Sequence, residues 1–232
     1  MYPRRDLLIL SMRFDIITIF PNIFNSYFNE SIIKRAQNKK IIKIKIHGLR
    51  KWTKDKHKTV DGRPYGGGAG MVLMAEPIYQ ALKSLRQKRK AKNSKIILLS
   101  AKGKKWDQQM AKRYAKFNNI ILICGRYEGV DERVKKIVDE EISIGDYVLT
   151  GGEIPAMVIV DSIARLLPGV LGNKESAKFE SHSEAGVLEY PHYTRPEILK
   201  INGKNYKVPK ALLSGNHAEI KKWREKKSKK LF

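Results

Sequence analysis

Short apolar runs, each ending at a polar or glycine break, constrain this chain more than any other feature. Phe14 to Phe20, Ile96 to Leu99 and Ile120 to Cys124 are too short for helices that bury a full face. They are rich in isoleucine, as expected of strands buried on both sides of a sheet. Ile41 to Ile46 reads IIKIKI, the period-two alternation of a half-exposed strand. Helical spacing occupies the stretches between and after them. Pro21 to about Asn38 places Ile23, Phe24, Tyr27, Ile32 and Ile33 on an inner side, which makes a β-α-β unit with its flanking strands. Glu76 to about Leu85, about Asp107 to Phe117, and Pro155 to Leu167 follow, the last ended by Pro168-Gly169. Strands alternating with helices predict an α/β fold with a mainly parallel sheet and helices on both faces.

The stretch from Ile120 to Pro155 is the densest in signals. Its strand stops at Gly125, and the knuckle Gly125-Arg126-Tyr127-Glu128-Gly129 leads into Val130 to Asp139, where Val130, Val134, Ile137 and Val138 have helical spacing. Two further apolar fragments, Ile142 to Ile144 and Tyr147 to Leu149, break at Gly145-Asp146 and at Thr150-Gly151-Gly152. Glycine at a strand end lets a ligand approach main-chain N–H and C=O groups with no Cβ in the way. Three such ends are either ordinary turns or the walls of one backbone-lined pocket. Ligands of open α/β sheets collect at the carboxyl ends of strands, where Ser100, Gly125 and Ile144-Gly145 fall.

Charge narrows the partner. Among 232 residues, 47 Lys and Arg against 23 Asp and Glu give a net charge of +24, the sign that attracts phosphate backbones. A lysine-rich surface is the plain alternative. No apolar run approaches the roughly 18 residues of a membrane span. Cys124 is the only cysteine, so no intrachain disulfide forms and a reduced, cytoplasmic setting is expected. At the end of an apolar run it reads as buried filler rather than nucleophile. No Cys and His spacing suggests a metal site. The loop from Arg50 to Met71 is aperiodic and carries Gly66-Gly67-Gly68 and Gly70, with His57, Lys58, Arg63 and Tyr65 able to meet phosphate or base. It lacks the Gly-Lys-Ser or Gly-Lys-Thr of a Walker loop. Lys83 to Lys95 holds seven basic residues and no acid, and suits either a solvated face or RNA contact. Residues 201 to 232 hold ten Lys or Arg and two Glu. Asn216, with Glu219 three residues on, reads as a capping box opening a basic helix, near which Tyr193, Arg195, Trp223 and Arg224 offer stacking and phosphate partners.

Several stretches between about Arg13 and Lys227 together resemble the bacterial tRNA (guanine-N1)-methyltransferases of the knotted (SPOUT-type) methyltransferase superfamily: TVDGRPYGGGAGM, CGRYEGVDER, SIGDYVLTGGEIPA, PGVLGN, HYTRPE and LLSGNHAEI. The resemblance implies a C-terminal trefoil knot in the sheet domain, followed by a small helical C-terminal domain. The expected division is a tail over 1–11, a knotted cofactor-binding domain over 12–171, a flexible linker over 172–186, and a short basic tRNA-binding domain over 187–232, truncated relative to the family. Met12 stands where family members begin. The implied activity moves a methyl group from S-adenosylmethionine to N1 of the guanosine immediately 3′ of the anticodon, supporting reading-frame maintenance. A cytoplasmic homodimer sharing its active site between subunits is also implied, as is Mg2+, without any ligand spacing here to support it.

By the same resemblance, the cofactor is held at Leu99, Ser100, Gly125, Tyr127, Glu128, Gly129, Ile144, Gly145, Asp146, Tyr147, Val148, Leu149, Gly151, Gly152 and Pro155. Guanine N1 carries a proton at neutral pH, so the transfer needs a general base, and charge developing on O6 calls for a cation. The family's assisting arginine matches Arg165. Its acidic base falls at Glu180, with Glu184 the next choice because the linker departs from the family's pattern there. A noncatalytic RNA-binding descendant, or a methyltransferase with another RNA target, are the competing readings. HYTRPE and LLSGNHAEI speak for the guanine-N1 group.

Overall fold

A computed structural model describes residues 11–87, 93–172 and 180–230. Nearly all of the expected tail, five residues of the basic run after Lys83 and residues 173–179 of the expected linker lie outside the described residues. The chain divides into two compact units, Met1–Gly172 and Asn173–Phe232.

In the first unit, strand β1 (Met12–Thr18) is followed by a 3-10 turn (Pro21–Phe24), helices α1 (Asn25–Phe28) and α2 (Ser31–Asn38), and strand β2 (Ile42–Gly48). A second 3-10 turn (Leu49–Trp52) and the short strands β3 (Asp61–Gly62) and β4 (Val72–Leu73) lead to α3 (Ala75–Gln87). Then come β5 (Ser94–Lys105), α4 (Gln108–Tyr114), β6 (Asn119–Cys124), a 3-10 helix (Glu132–Ile137), β7 (Glu140–Ser143) and α5 (Glu153–Ala164). Five strands form one sheet in the order β2-β1-β6-β5-β7, every neighbouring pair parallel. Side chains alternate across it, as strand geometry requires. Phe14, Ile16, Ile97, Leu99, Ile120, Leu122 and Ile142 face a core built with α2, α4 and α5. Ile17, Ile96, Leu98, Ile121 and Ile123 face a second core built with α3 and Val134. Burial on both faces is why β6 reads as an unbroken apolar run.

Four local expectations change. The single helix expected after Pro21 is a 3-10 turn and two short helices, interrupted at Asn29–Glu30 and restarted at Ser31, whose φ of 47° would not fit a helix interior. Val130 to Asp139 forms no α-helix. Of its four apolar residues only Val134 is fully buried, and Leu73 exchanges hydrogen bonds with Gly129 and Asp131, so the segment closes into six residues of 3-10 helix. Tyr147 to Leu149 is an exposed loop rather than a strand, with Val148 88% accessible. Finally, β5 does not end at Ser100. It bulges between Leu99 and Lys104, and both of those residues pair with Ile142 of β7.

The described part of the second unit adds four short strands to its helices, where the resemblance implied a helical domain. Strand β8 (Val187–Leu188) pairs antiparallel with β11 (Lys229–Lys230), and β9 (Ile198–Ile201) with β10 (Lys204–Lys207). Helices α6 (Lys210–Leu213) and α7 (His217–Lys227) lie between β10 and β11 in the chain. Asn216 caps α7 by accepting from the N–H groups of Ala218 and Glu219. The other half of the expected capping box is replaced, because the Asn216 N–H donates to Ser214 Oγ.

Candidate active site

Parallel pairing of β5, β6 and β7 sets their carboxyl ends side by side, and a cleft of about 270 Å³ opens there. The bulge Ser100–Lys102, the knuckle Gly125–Gly129 and the loop Ile144–Gly152 form its walls. Of the residues expected to hold a cofactor, fourteen line this cleft: Leu99, Ser100, Gly125, Tyr127, Glu128, Gly129, Ile144, Gly145, Tyr147, Val148, Leu149, Gly151, Gly152 and Pro155. Asp146 is not among the lining residues. It is exposed and pairs with Lys105 at 2.5 Å.

The knuckle is held by main chain on both sides. Gly152 N–H donates to Gly125 O at 2.9 Å, and Arg126 and Gly151 form an antiparallel bridge. Across from them, Glu128 N–H donates to Met71 O at 3.1 Å, which ties in the end of the glycine-rich loop. Gly70 lies there with a φ of 83°, directly under the Glu128 side chain. Tyr127, at the crest, is held at a φ of 59°, a left-handed conformation that is costly for a bulky residue and characteristic of functional turns.

Several residues in or beside the cleft were not among those expected to hold a cofactor. Lys135 bridges Glu132 at 3.0 Å and Glu141 at 3.1 Å, and these carboxylates hold its ammonium above the ordinary lysine range. Arg126 pairs through Nε with Glu153 Oε2 at 3.0 Å. Glu153, 2% accessible, also accepts from Thr18 Oγ1 at 2.6 Å. Burial first, and the Glu153 charge second, push the Cys124 thiol well up, so it stays protonated packing beside the cleft.

The cleft suits a nucleoside-bearing sulfonium: backbone donors and acceptors for the flat ring and hydroxyls, glycine where backbone must come close, and apolar Leu99, Val148 and Leu149. Among the described residues no group of three or more His, Cys, Asp and Glu could hold a metal ion.

Arg165 ends α5 in the first unit, its N–H donating to Asp161 O at 3.1 Å. The Asp161 carboxylate accepts from the Tyr27 hydroxyl. Glu180 belongs to the second unit and opens a turn in which Ser183 N–H donates to its carbonyl at 2.9 Å; Glu184 lies exposed in the same turn.

Comparison with known proteins gives a consistent result. The family profile described as "tRNA (Guanine-1)-methyltransferase TrmD" matches residues 12–231. A tRNA (guanine-N(1)-)-methyltransferase of Dictyoglomus turgidum is 55% identical over 222 residues, which is 95% of this chain and 87% of that protein. One of Clostridioides difficile is 52% identical, over 94% of this chain and 92% of its own length. The crystal structure of tRNA (m1G37) methyltransferase from Aquifex aeolicus superposes with a TM-score of 0.75 at 40% identity, over 92% of this chain and 87% of that one. With this sequence, this parallel sheet and this cleft, the chain belongs to the tRNA (guanine-1)-methyltransferase family.

Proposed function

We propose that this enzyme methylates N1 of the guanosine immediately 3′ of the anticodon in tRNA, using S-adenosylmethionine bound in the cleft at the ends of β5, β6 and β7. The observation that carries the reading is the convergence of the glycine-marked segments on that cleft, in a chain whose family is defined by this reaction. When bound, S-adenosylmethionine supplies a methyl group on positively charged sulfur. Main chain at Ser100, Gly125, Gly129 and Ile144–Gly152 holds adenine and ribose, and the knuckle and α5 orient the donor. Glu180 takes the N1 proton of the target guanine, with Glu184 as the other candidate. Arg165 meets the charge that develops on O6. Asp146, exposed and paired with Lys105, acts on the loop's shape rather than on the donor.

By the family resemblance, Arg165 and Glu180 act in a homodimer that shares its active site between subunits. Large apolar side chains support that reading. Ile154 and Val158 of α5, with Ile23 and Tyr27 before it, are exposed on the first unit. We further assign a trefoil knot to the segment around β6, β7 and α5, tRNA contact to the basic second unit, and a cytoplasmic setting. No described helix is long and apolar enough to cross a membrane.

The test is methylation of a tRNA carrying guanosine at that position and of variants lacking it. The wild type methylates only the former. Glu180→Ala keeps donor binding by calorimetry and loses methylation; full activity in that variant moves the base elsewhere, and wild type inert on both tRNAs refutes the reading.

A further inference from the structure

Arg126 and Glu153 bracket the whole loop that lines the cleft, and three independent features fix their geometry. The guanidinium lies over the Phe20 ring, 4.7 Å from its centroid, and gives its Nε to Glu153. Glu153 is held from the other side by Thr18, at the end of β1. A Cβ at Gly151 would stand 2.2 Å from Arg126 Nε and 2.6 Å from Glu153 Oε2, so any side chain there pushes the pair aside. The ion pair therefore crosses directly over the backbone where the knuckle and the returning loop bridge each other. Glu153 also opens α5, and a carboxylate in a first helical turn is favoured by the helix dipole.

We propose that Arg126 and Glu153 are positioning residues that set the spacing between the knuckle and the Ile144–Gly152 loop, so that methyl-donor affinity depends on an ion pair whose acid does not line the cleft. This rests on the donor site proposed above. Burial argues that the pair serves position rather than stability alone. Replacing a buried ion pair by packed apolar groups is often neutral or stabilising, so stability by itself does not call for it. What an apolar pair cannot supply is a directional contact that keeps a fork over Gly151 and a fixed distance between two backbones.

Calorimetry with S-adenosylmethionine, together with turnover on tRNA at saturating donor, separates the roles. Glu153→Gln keeps the shape and weakens the pair; its donor Kd rises about ten-fold, while kcat at saturating donor stays within about two-fold. Thr18→Val lies outside the cleft and loosens both ends of the pair, because the Thr18 hydroxyl donates to Glu153 and accepts from the N–H of Phe20, whose ring lies under Arg126; it raises the same Kd about three-fold. The double variant Arg126→Gln/Glu153→Gln recovers part of the single variant's loss, since it leaves no unpaired charge. If Glu153→Gln fails to fold, Thr18→Val decides alone. Variants that melt earlier yet bind donor as tightly as wild type make the pair merely structural and overturn the proposal. So does an unchanged Kd with a fallen kcat. A folded wild type that binds no donor instead refutes the methyltransferase reading itself, and this inference with it.

Discussion

Gly152→Ala tests whether close approach of backbone shapes the cleft. A Cβ at this position would lie 2.6 Å from Cys124 Cα, 3.0 Å from Gly125 N and 3.1 Å from Cys124 Cβ. Carbon atoms in contact rest about 3.5–4.0 Å apart, so the overlap is about 1 Å against atoms that no side-chain rotation can move. Relief requires the first turn of α5 to back away from β6, which stretches the 2.9 Å bond from Gly152 N–H to Gly125 O. Overpacking of this kind costs about 1–3 kcal/mol and loss of the hydrogen bond about 1 kcal/mol more, together about 2–4 kcal/mol. For a chain of this size that lowers the thermal midpoint by roughly 4–16 °C. Circular dichroism melts at one fixed protein concentration, without donor, read this directly. Gly62→Ala is the control, because a Cβ there meets nothing within 4 Å. It stays within about 0.5 kcal/mol of wild type. A Gly152→Ala protein that melts with wild type would falsify the steric argument, since no flexible neighbour exists to absorb the overlap.

Two further outcomes follow from charge. The hydrogen bond and charge of Arg133 hold the Asp131 carboxyl below the ordinary aspartate range, and Asp131 also caps the 3-10 helix by accepting from the Arg133 N–H. A depressed pKa contributes stability fully above the unfolded value, about 3.9, and loses it as pH falls through the folded value. The urea midpoint gap between wild type and Asp131→Asn should therefore be constant from neutral pH down to about 5 and shrink below about 4; a gap that persists on acidification contradicts the pairing. In the second unit, Lys221, Lys222 and Arg224 stand exposed on α7. If α7 follows the tRNA backbone, Lys221→Ala/Lys222→Ala reduces the slope of log affinity against log salt by about 0.7–0.9 for each phosphate no longer neutralised, and an unchanged slope places the RNA elsewhere.

The sheet was legible because both its faces are buried. Ile120 to Cys124 has only one packing solution as an apolar pentapeptide between turns, and β1, β2 and β5 are nearly as explicit. Failures came where neighbours far along the chain decide the local form. Helical spacing from Val130 to Val138 meant little once Leu73 claimed the backbone on either side of Val130. Ser100 read as a strand end because nothing local announces that β7 takes β5 up again at Lys104. Fourteen of the positions named from the family resemblance line one cleft, which periodicity alone could not have outlined. The second unit's short hairpin strands, with all of β9 and β10 exposed, left no apolar pattern to detect.

Glycine shows the limit most clearly. Gly70, Gly151 and Gly152 look alike in the sequence, but each meets a different neighbour: the Glu128 side chain over Gly70, the Arg126 side chain over Gly151, and at Gly152 the Cys124 backbone, which cannot swing aside. Only Gly70 also needs a left-handed backbone. A cleft lined by main chain takes its selectivity from where the chain runs, and these three close approaches, with the Arg126 and Glu153 pair above them, set that course. It follows that exchanging an exposed apolar lining residue such as Val148 for another of similar size should disturb donor binding less than adding one methyl group at Gly151, although Val148 is the larger and more accessible side chain.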